Sequence, residues 1–329
     1  MKKKITVLTL ITTTFALCFP AEAQQPTKIP RIGLLSGTGD AKNPGSQVEA
    51  FLQGLRDRGY VDGKNVAIEY RYAEGRNERF PRLVSELVQL NVDVLVLTAL
   101  PAILAAKQAT KTIPIVMSVN ADPVAAGLVD GLARPGGNIT GLTRLTRELS
   151  GKRLELLKET FPRVTRVGML WKPDSVALDL AYKEYESVAR ALKVQLQSLE
   201  VRSPNPDFEG AFQAAGKARV HALIAISDIL LSRHSKQIAD LAIKQRLPTM
   251  HELVRYVDAG GLMSYGSNDA ANYQRIAYFV DRILRGTKPA DLPVEQPTKF
   301  EFVINLKTAK QIGVTIPPNV LARADRVIK

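Results

Sequence analysis

Hydroxyls, amides and single acids recur where apolar runs end. Ser36 and Gly37 follow "RIGLL", Thr98-Ala99-Leu100-Pro101 follow "DVLVL", and Ser118-Val119-Asn120-Ala121-Asp122 follow "IPIVM". Trp171-Lys172-Pro173-Asp174-Ser175 follow "RVGML", and Ser227-Asp228 follow "HALIAI". Donors of this kind hold a carboxylate, and an aspartate holds an ammonium, through charge-assisted hydrogen bonds. Facing one another, the two sets would grip a zwitterion. Each residue also has a plainer reading. Asp122, Asp174 and Asp228 stand ahead of expected helices and suit N-caps. Trp171, the only tryptophan, ends an apolar strand, where stacking on a flat ligand and packing into a core both remain open.

Residues for making and breaking bonds are missing. A dinucleotide loop starting at Gly37 would need glycine at position 42, where Lys42 stands, and no G-x-x-x-x-G-K-[ST] occurs. His221, His234 and His251 lack zinc-ligand spacing. "LMSYG" (262–266) misses the nucleophile elbow because Leu262 occupies the first glycine position. No acidic cluster matches a magnesium or calcium loop. The expectation is a protein without catalytic residues, cofactor or metal.

The elements that must position the strand-end residues alternate regularly. Strands are predicted at 31–36, 66–71, 93–98, 113–118 and 138–142, and later at 166–171, 194–200, 221–227, 247–250 and 261–266. Between them lie amphipathic helices: Val48, Phe51, Leu52 and Leu55 recur at i, i+3, i+4 and i+7, as do Phe80, Leu83, Val84 and Leu87. Further helices are expected near 147–161, 175–191, 206–217 and 229–245, then a long one carrying Tyr273, Ile276, Ala277 and Val280. Continuous apolar strands separated by helices imply parallel sheets covered on both faces. Two such units without a low-complexity linker imply two lobes and a cleft, with a first crossing expected in the turn near 133–142. Ligands of parallel sheets sit beyond the carboxyl ends of the strands, where the polar residues above gather.

The N-terminus and the charge limit where such a protein works. Lys2, Lys3 and Lys4, an apolar stretch from Ile5 to Phe19, and Ala21-Glu22-Ala23 read as a secretory signal cut after Ala23. The stretch is shorter than the roughly 20 residues of a membrane span. Cys18, the only cysteine, lies within it, so the mature chain of about 306 residues has neither thiol nor disulfide. Loss of the signal lowers the formal net charge from +13 to about +11. Lys and Arg are scattered among acids with no basic run beyond the signal, which argues against nucleic acid as partner.

Longer stretches carry a resemblance. "DPVAAGLVDGLARPGGNITGLT" (122–143), "VDAGGLMSYG" (257–266), the segment from 283 to 328 beginning "ILRGTKPADLPVEQPTKFEFVINL", and "YRYAEGRNERFPRLVSELVQLNVDVLVLTALPAILAAKQATKTIPIV" (70–116) resemble the ABC-transporter substrate-binding proteins related to the tryptophan/tyrosine-binding group. The resemblance spans essentially the whole mature chain. It implies a two-lobe periplasmic-binding-protein type I fold, each lobe a parallel sheet flanked by helices. Lobe 1 would take 24–142 plus 266–295 and lobe 2 would take 143–265 plus 296–329. It further implies an exported, monomeric solute receptor that closes on an amino-acid-like or aromatic molecule and delivers it to a membrane permease with its ATPase. By position the pocket would draw on Ser36, Gly37, Thr98, Ala99, Leu100, Pro101, Asn120 and Asp122 from one lobe. The other would give Trp171, Ser227, Asp228, Met250 and Tyr265. Lys172 would favour an anion. The same fold also serves as the ligand-sensing module of regulators and receptors. A regulator is expected to place a helix-turn-helix where the signal stands, and a receptor to carry a membrane span.

Overall fold

The computed structural model describes residues 29–144, 149–173, 176–202 and 204–329. The signal segment with Cys18, and Asp174 and Ser175, lie outside these.

In chain order the first unit runs β1 (Arg31–Ser36), α1 (Ser46–Arg56), β2 (Ala67–Tyr72), α2 (Phe80–Gln89), β3 (Val94–Leu97), α3 (Leu100–Ala109), β4 (Ile115–Val119) and β5 (Ile139–Thr143). Its five strands form one parallel sheet in the order β2-β1-β3-β4-β5. The central strands β3 and β4 are buried throughout, and β1 beyond Arg31, because helices cover both faces. Leu35, Leu95 and Met117 pack with Phe80, Leu83 and Ile103 on one side. Ile32, Val94 and Val116 pack with Phe51, Ile276 and Val280 on the other.

The second unit follows with α4 (Ser150–Thr160), β6 (Arg166–Trp171), α5 (Val176–Ala191), β7 (Gln195–Glu200), α6 (Phe208–Lys217), β8 (Ala222–Ala225), α7 (Ile229–Arg233), α8 (Ser235–Lys244), β9 (Thr249–His251), α9 (Val254–Asp258) and β10 (Met263–Ser267). After β10 the chain enters α10 (Asp269–Leu284), which returns to the first unit and packs along α1. It then closes with β11 (Phe300–Asn305), α11 (Leu306–Ile312), α12 (Pro318–Leu321) and β12 (Arg326–Ile328). The second sheet has seven strands ordered β12-β11-β10-β9-β8-β6-β7.

Several sequence expectations need correction. The second sheet is not purely parallel: β11 runs antiparallel to β10, with Ser267 opposite Phe300 and Met263 opposite Ile304. The helix expected over 229–245 is two helices, because His234 leaves helical geometry at φ −101° and ψ 18°. The first crossing lies after the 133–142 turn. Strand β5 still pairs with β4 as far as Thr143 opposite Val119, so the chain leaves the first sheet only beyond that residue. The return of α10 begins after Ser267, and the last passage follows Glu295, whose backbone still exchanges hydrogen bonds with Gly141 and Thr143.

Sheet order fixes where ligands are accessible. In the first sheet the chain moves from β1 outward to β2, then back across to β3. In the second it moves from β6 to β7, then back to β8. The crevices at these two reversals, beyond the carboxyl ends of β1 and β3 and of β6 and β8, are the places where an α/β sheet leaves room for a ligand.

Candidate functional site

The two crevices face each other and share one cavity of about 530 Å³. That volume lies within the range of pockets for small molecules, about 300–1,000 Å³. Gly37 and Thr38 after β1, Thr98 to Pro101 after β3, and Asn120 and Ala121 after β4 form one wall. Lys172 after β6, Ile226, Ser227 and Asp228 after β8, and Glu252 and Leu253 after β9 form the other. Arg144, which follows β5, and Arg255 of α9 close the side where the chain crosses. Apolar surface comes from Leu100, Val119, Leu178, Ala181, Ile226 and Ile229.

Of the residues expected from sequence, Gly37, Thr98, Ala99, Leu100, Pro101, Asn120, Ser227 and Asp228 line this cavity. Ser36, Asp122, Trp171, Met250 and Tyr265 do not. Ser36 is the last residue of its strand and donates its hydroxyl to the Thr38 carbonyl at 2.7 Å. Asp122 is exposed, and its carboxylate accepts the backbone N–H groups of Val124 and Ala125, closing a local turn. Trp171 points into the lobe, stacks on Tyr182 at 4.6 Å and donates Nε1–H to Ser198 Oγ at 2.9 Å. Core packing is the outcome there. Met250 is fully buried among Met169, Ile224 and Met263. Strand β9 runs one residue past the expected end at 250, so the chain reaches the cavity at Glu252 instead. The ring of Tyr265 stacks near Phe300 and its carbonyl accepts from Arg153 Nε at 2.7 Å.

Charged groups make up much of the polar wall, and they are already linked to one another. Arg144 and Arg255 both approach the single carboxylate of Asp269, at 3.2 and 3.8 Å. Gln47 Nε2–H donates to the same carboxylate at 2.7 Å, and Tyr273 donates its hydroxyl to Gln47. Asp228 accepts the backbone N–H of Leu231, capping α7, and lies 3.7 Å from Lys172 Nζ. Glu252 accepts from the Ser227 backbone N–H at 3.2 Å and sits 3.5 Å from Arg153, a guanidinium with no solvent exposure. Burial pushes the Glu252 carboxyl above its ordinary range, and the Arg153 charge opposes that. Helix α3, by contrast, starts at the cavity with Ala99 at its N-cap, which makes no side-chain cap; Pro101 in the first turn has no N–H, which leaves those of Leu100 and Ala102. Free N–H groups and the helix dipole favour an anion at that point.

Sequence reasoning missed Arg144, Arg255, Glu252, Gln47 and Tyr273. Arg144 and Glu252 obey the strand-end rule, extended to β5 and β9. Gln47, Arg255 and Tyr273 come from helices, where nothing in the local pattern distinguishes a cavity residue from a surface one. Among the described residues no group of three or more His, Cys, Asp or Glu side chains is placed to hold a metal.

Comparison with known proteins agrees with this architecture. Residues 40–328 match the family model for ABC transporter substrate binding proteins. The chain is 25% identical over 270 residues to the tyrosine-binding protein of Clostridioides difficile strain R20291, covering 81% of this chain and 76% of that one. It superposes with a TM-score of 0.83 and 29% identity on a conserved domain protein from Vibrio cholerae, covering 91% of this chain and all of the other. A Streptococcus pneumonia domain crystallised with L-Trp gives a TM-score of 0.80 at 26% identity, covering 91% and 99%.

Proposed function

The chain belongs to the ABC transporter substrate-binding protein family, and from that premise we propose that it is the exported solute receptor of an importer. It captures a small amino-acid-like or aromatic carboxylate by closing two lobes, and presents it to a membrane permease. The observation that carries this reading is one cavity built from both lobes, with the open start of α3 on one wall and hydroxyl and cationic groups around it. A carboxylate would take the α3 N–H groups, and the apolar wall from Leu100 to Ile229 would cover the rest of the solute. Closure removes water from the site, which strengthens each polar contact and makes shape report occupancy. The tyrosine-binding relative and the L-Trp complex support a solute of amino-acid size. Export rests on the N-terminal signal, and no described helix is long and apolar enough to cross a membrane.

A thermal-shift and calorimetry screen of amino acids and aromatic acids tests the proposal. A true solute at a hundredfold excess over its Kd should stabilise the protein by about 2.7 kcal/mol. If no member of either class raises the melting temperature, solute capture of this kind is wrong.

A further inference from the structure

The acids that would hold an ammonium group are already engaged, while the cations outnumber their partners. Asp228 caps α7 and faces Lys172. Glu252 is enclosed with Arg153 and the Ser227 N–H. On the crossing side, Arg144 and Arg255 share one carboxylate, Asp269, which also receives Gln47. Two buried or half-buried guanidiniums against one carboxylate leave a positive surplus beside the cavity. In a partly desolvated site such a surplus is not screened as it would be in water.

In the loop 74–79, where Asn77 lines the cavity, two acids and two arginines balance, so any surplus there comes from the other lobe. Glu74 pairs with both Arg76 and Arg79, at 2.6 and 2.8 Å, just before Asn77 lines the cavity. Arg233 of the other lobe lies against Gly75 in the same loop. The uncapped start of α3 adds the positive end of a ten-residue helix to the inner wall.

We infer that this site selects a net anion: a carboxylate without an ammonium group is preferred to the α-amino acid of the same side chain. The inference rests on the capture reading above and sharpens its ligand class. A zwitterion brings an ammonium that must share Asp228 with Lys172 or Glu252 with Arg153, adding a cation where cations are already in excess. In a partly desolvated site that extra cation is repelled by those already present. The deaminated acid keeps the carboxylate contacts and avoids that cost.

Isothermal titration at pH 7.5 with matched pairs decides the matter. The pairs are L-tyrosine against 3-(4-hydroxyphenyl)propionate, L-tryptophan against indole-3-propionate, and L-leucine against 4-methylpentanoate. In the pair whose side chain fits, the deaminated acid should bind at least about tenfold more tightly. Arg255→Gln should reduce that advantage, with a thermal melt verifying that the variant is folded; Arg255 is partly exposed, so its replacement leaves the core intact. Equal or tighter binding of the amino acid overturns the inference and leaves solute capture standing. Binding by no compound in any pair removes the capture reading and the inference together.

Discussion

His251 is a neutral imidazole by enforcement. It is buried behind the cavity, stacks on Tyr256 at 4.7 Å with rings 7° from parallel, and neither ring nitrogen has a hydrogen-bond partner. Desolvation alone depresses its pKa from 6.5 to about 3. The unfolded chain therefore binds a proton below pH 6.5 that the native chain refuses. Its contribution is complete above that pH and is lost as pH falls toward 3. The slope is at most about 1.4 kcal/mol per pH unit for a single proton. Urea unfolding at pH 7 and pH 5 should show a lower midpoint at pH 5, and His251→Leu should flatten the difference. An unchanged difference in the variant would assign the acid sensitivity to other groups. At this scale the sequence was informative only where a residue follows a strand immediately. Gly37, Thr98, Ala99, Asn120, Ser227 and Asp228 sit in loops, and Leu100 and Pro101 open α3, all at positions set by the sheet. Trp171 and Met250 lie within their strands, so pleat alternation decided their direction, and a shift of one residue reverses it.

Elements were easier to read than residues, for a physical reason. Strands β3, β4 and β8 are buried on both faces and show as unbroken apolar runs, which composition alone marks. The antiparallel return of β11 was less legible because nothing local in "FEFVIN" specifies the partner or its direction. The edge strand β7 alternates exposed and half-buried positions from Gln195 to Ser198, the period of a strand with one face on the core, and then buries Leu199. A single glycine controls the junction of β4 and β5. Gly141 has φ +132°, and a Cβ there would collide with the carbonyl oxygen of Met117 in the paired strand. Gly141 itself accepts the Glu295 N–H, and Thr143 donates to the Glu295 carbonyl, so the last chain passage depends on the same spot. Gly141→Ala should therefore destabilise the protein by about 3 kcal/mol, combining a disfavoured backbone angle with displacement of β4. Chemical denaturation reads this directly. A loss below about 0.5 kcal/mol, the size of an ordinary surface substitution, would show that β5 shifts freely and that the glycine is dispensable.

For the whole molecule the relevant contacts are those between lobes. Arg255 of the second lobe reaches Thr38 Oγ1 at 3.4 Å and the Asp269 carboxylate at 3.8 Å, both in the first. Nearby, Gly37 lies so close to Ile229 that a Cβ would stand 3.2 Å from its Cδ1 and 3.7 Å from the Phe80 ring. A glycine at this point allows the walls to approach, and its backbone angle does not require glycine, since φ is not positive. Gly37→Val would thus act as a wedge between the lobes while straining neither sheet. On the closure proposed above, the variant should fold like the wild type without solute, because the lobes stand apart and relieve the buried overpacking, otherwise worth about 1–3 kcal/mol. With solute the two should part. The closed form becomes a minor population, and apparent affinity falls in proportion to that population. A tenfold weaker Kd together with loss of the solute-dependent decrease in radius of gyration, measured by small-angle scattering, is the expected pair of results. Weaker binding with the contraction intact would mean that valine only crowds the solute. Unchanged affinity and contraction would mean that the lobes need not meet at Gly37 and Ile229 for the cavity to hold its guest.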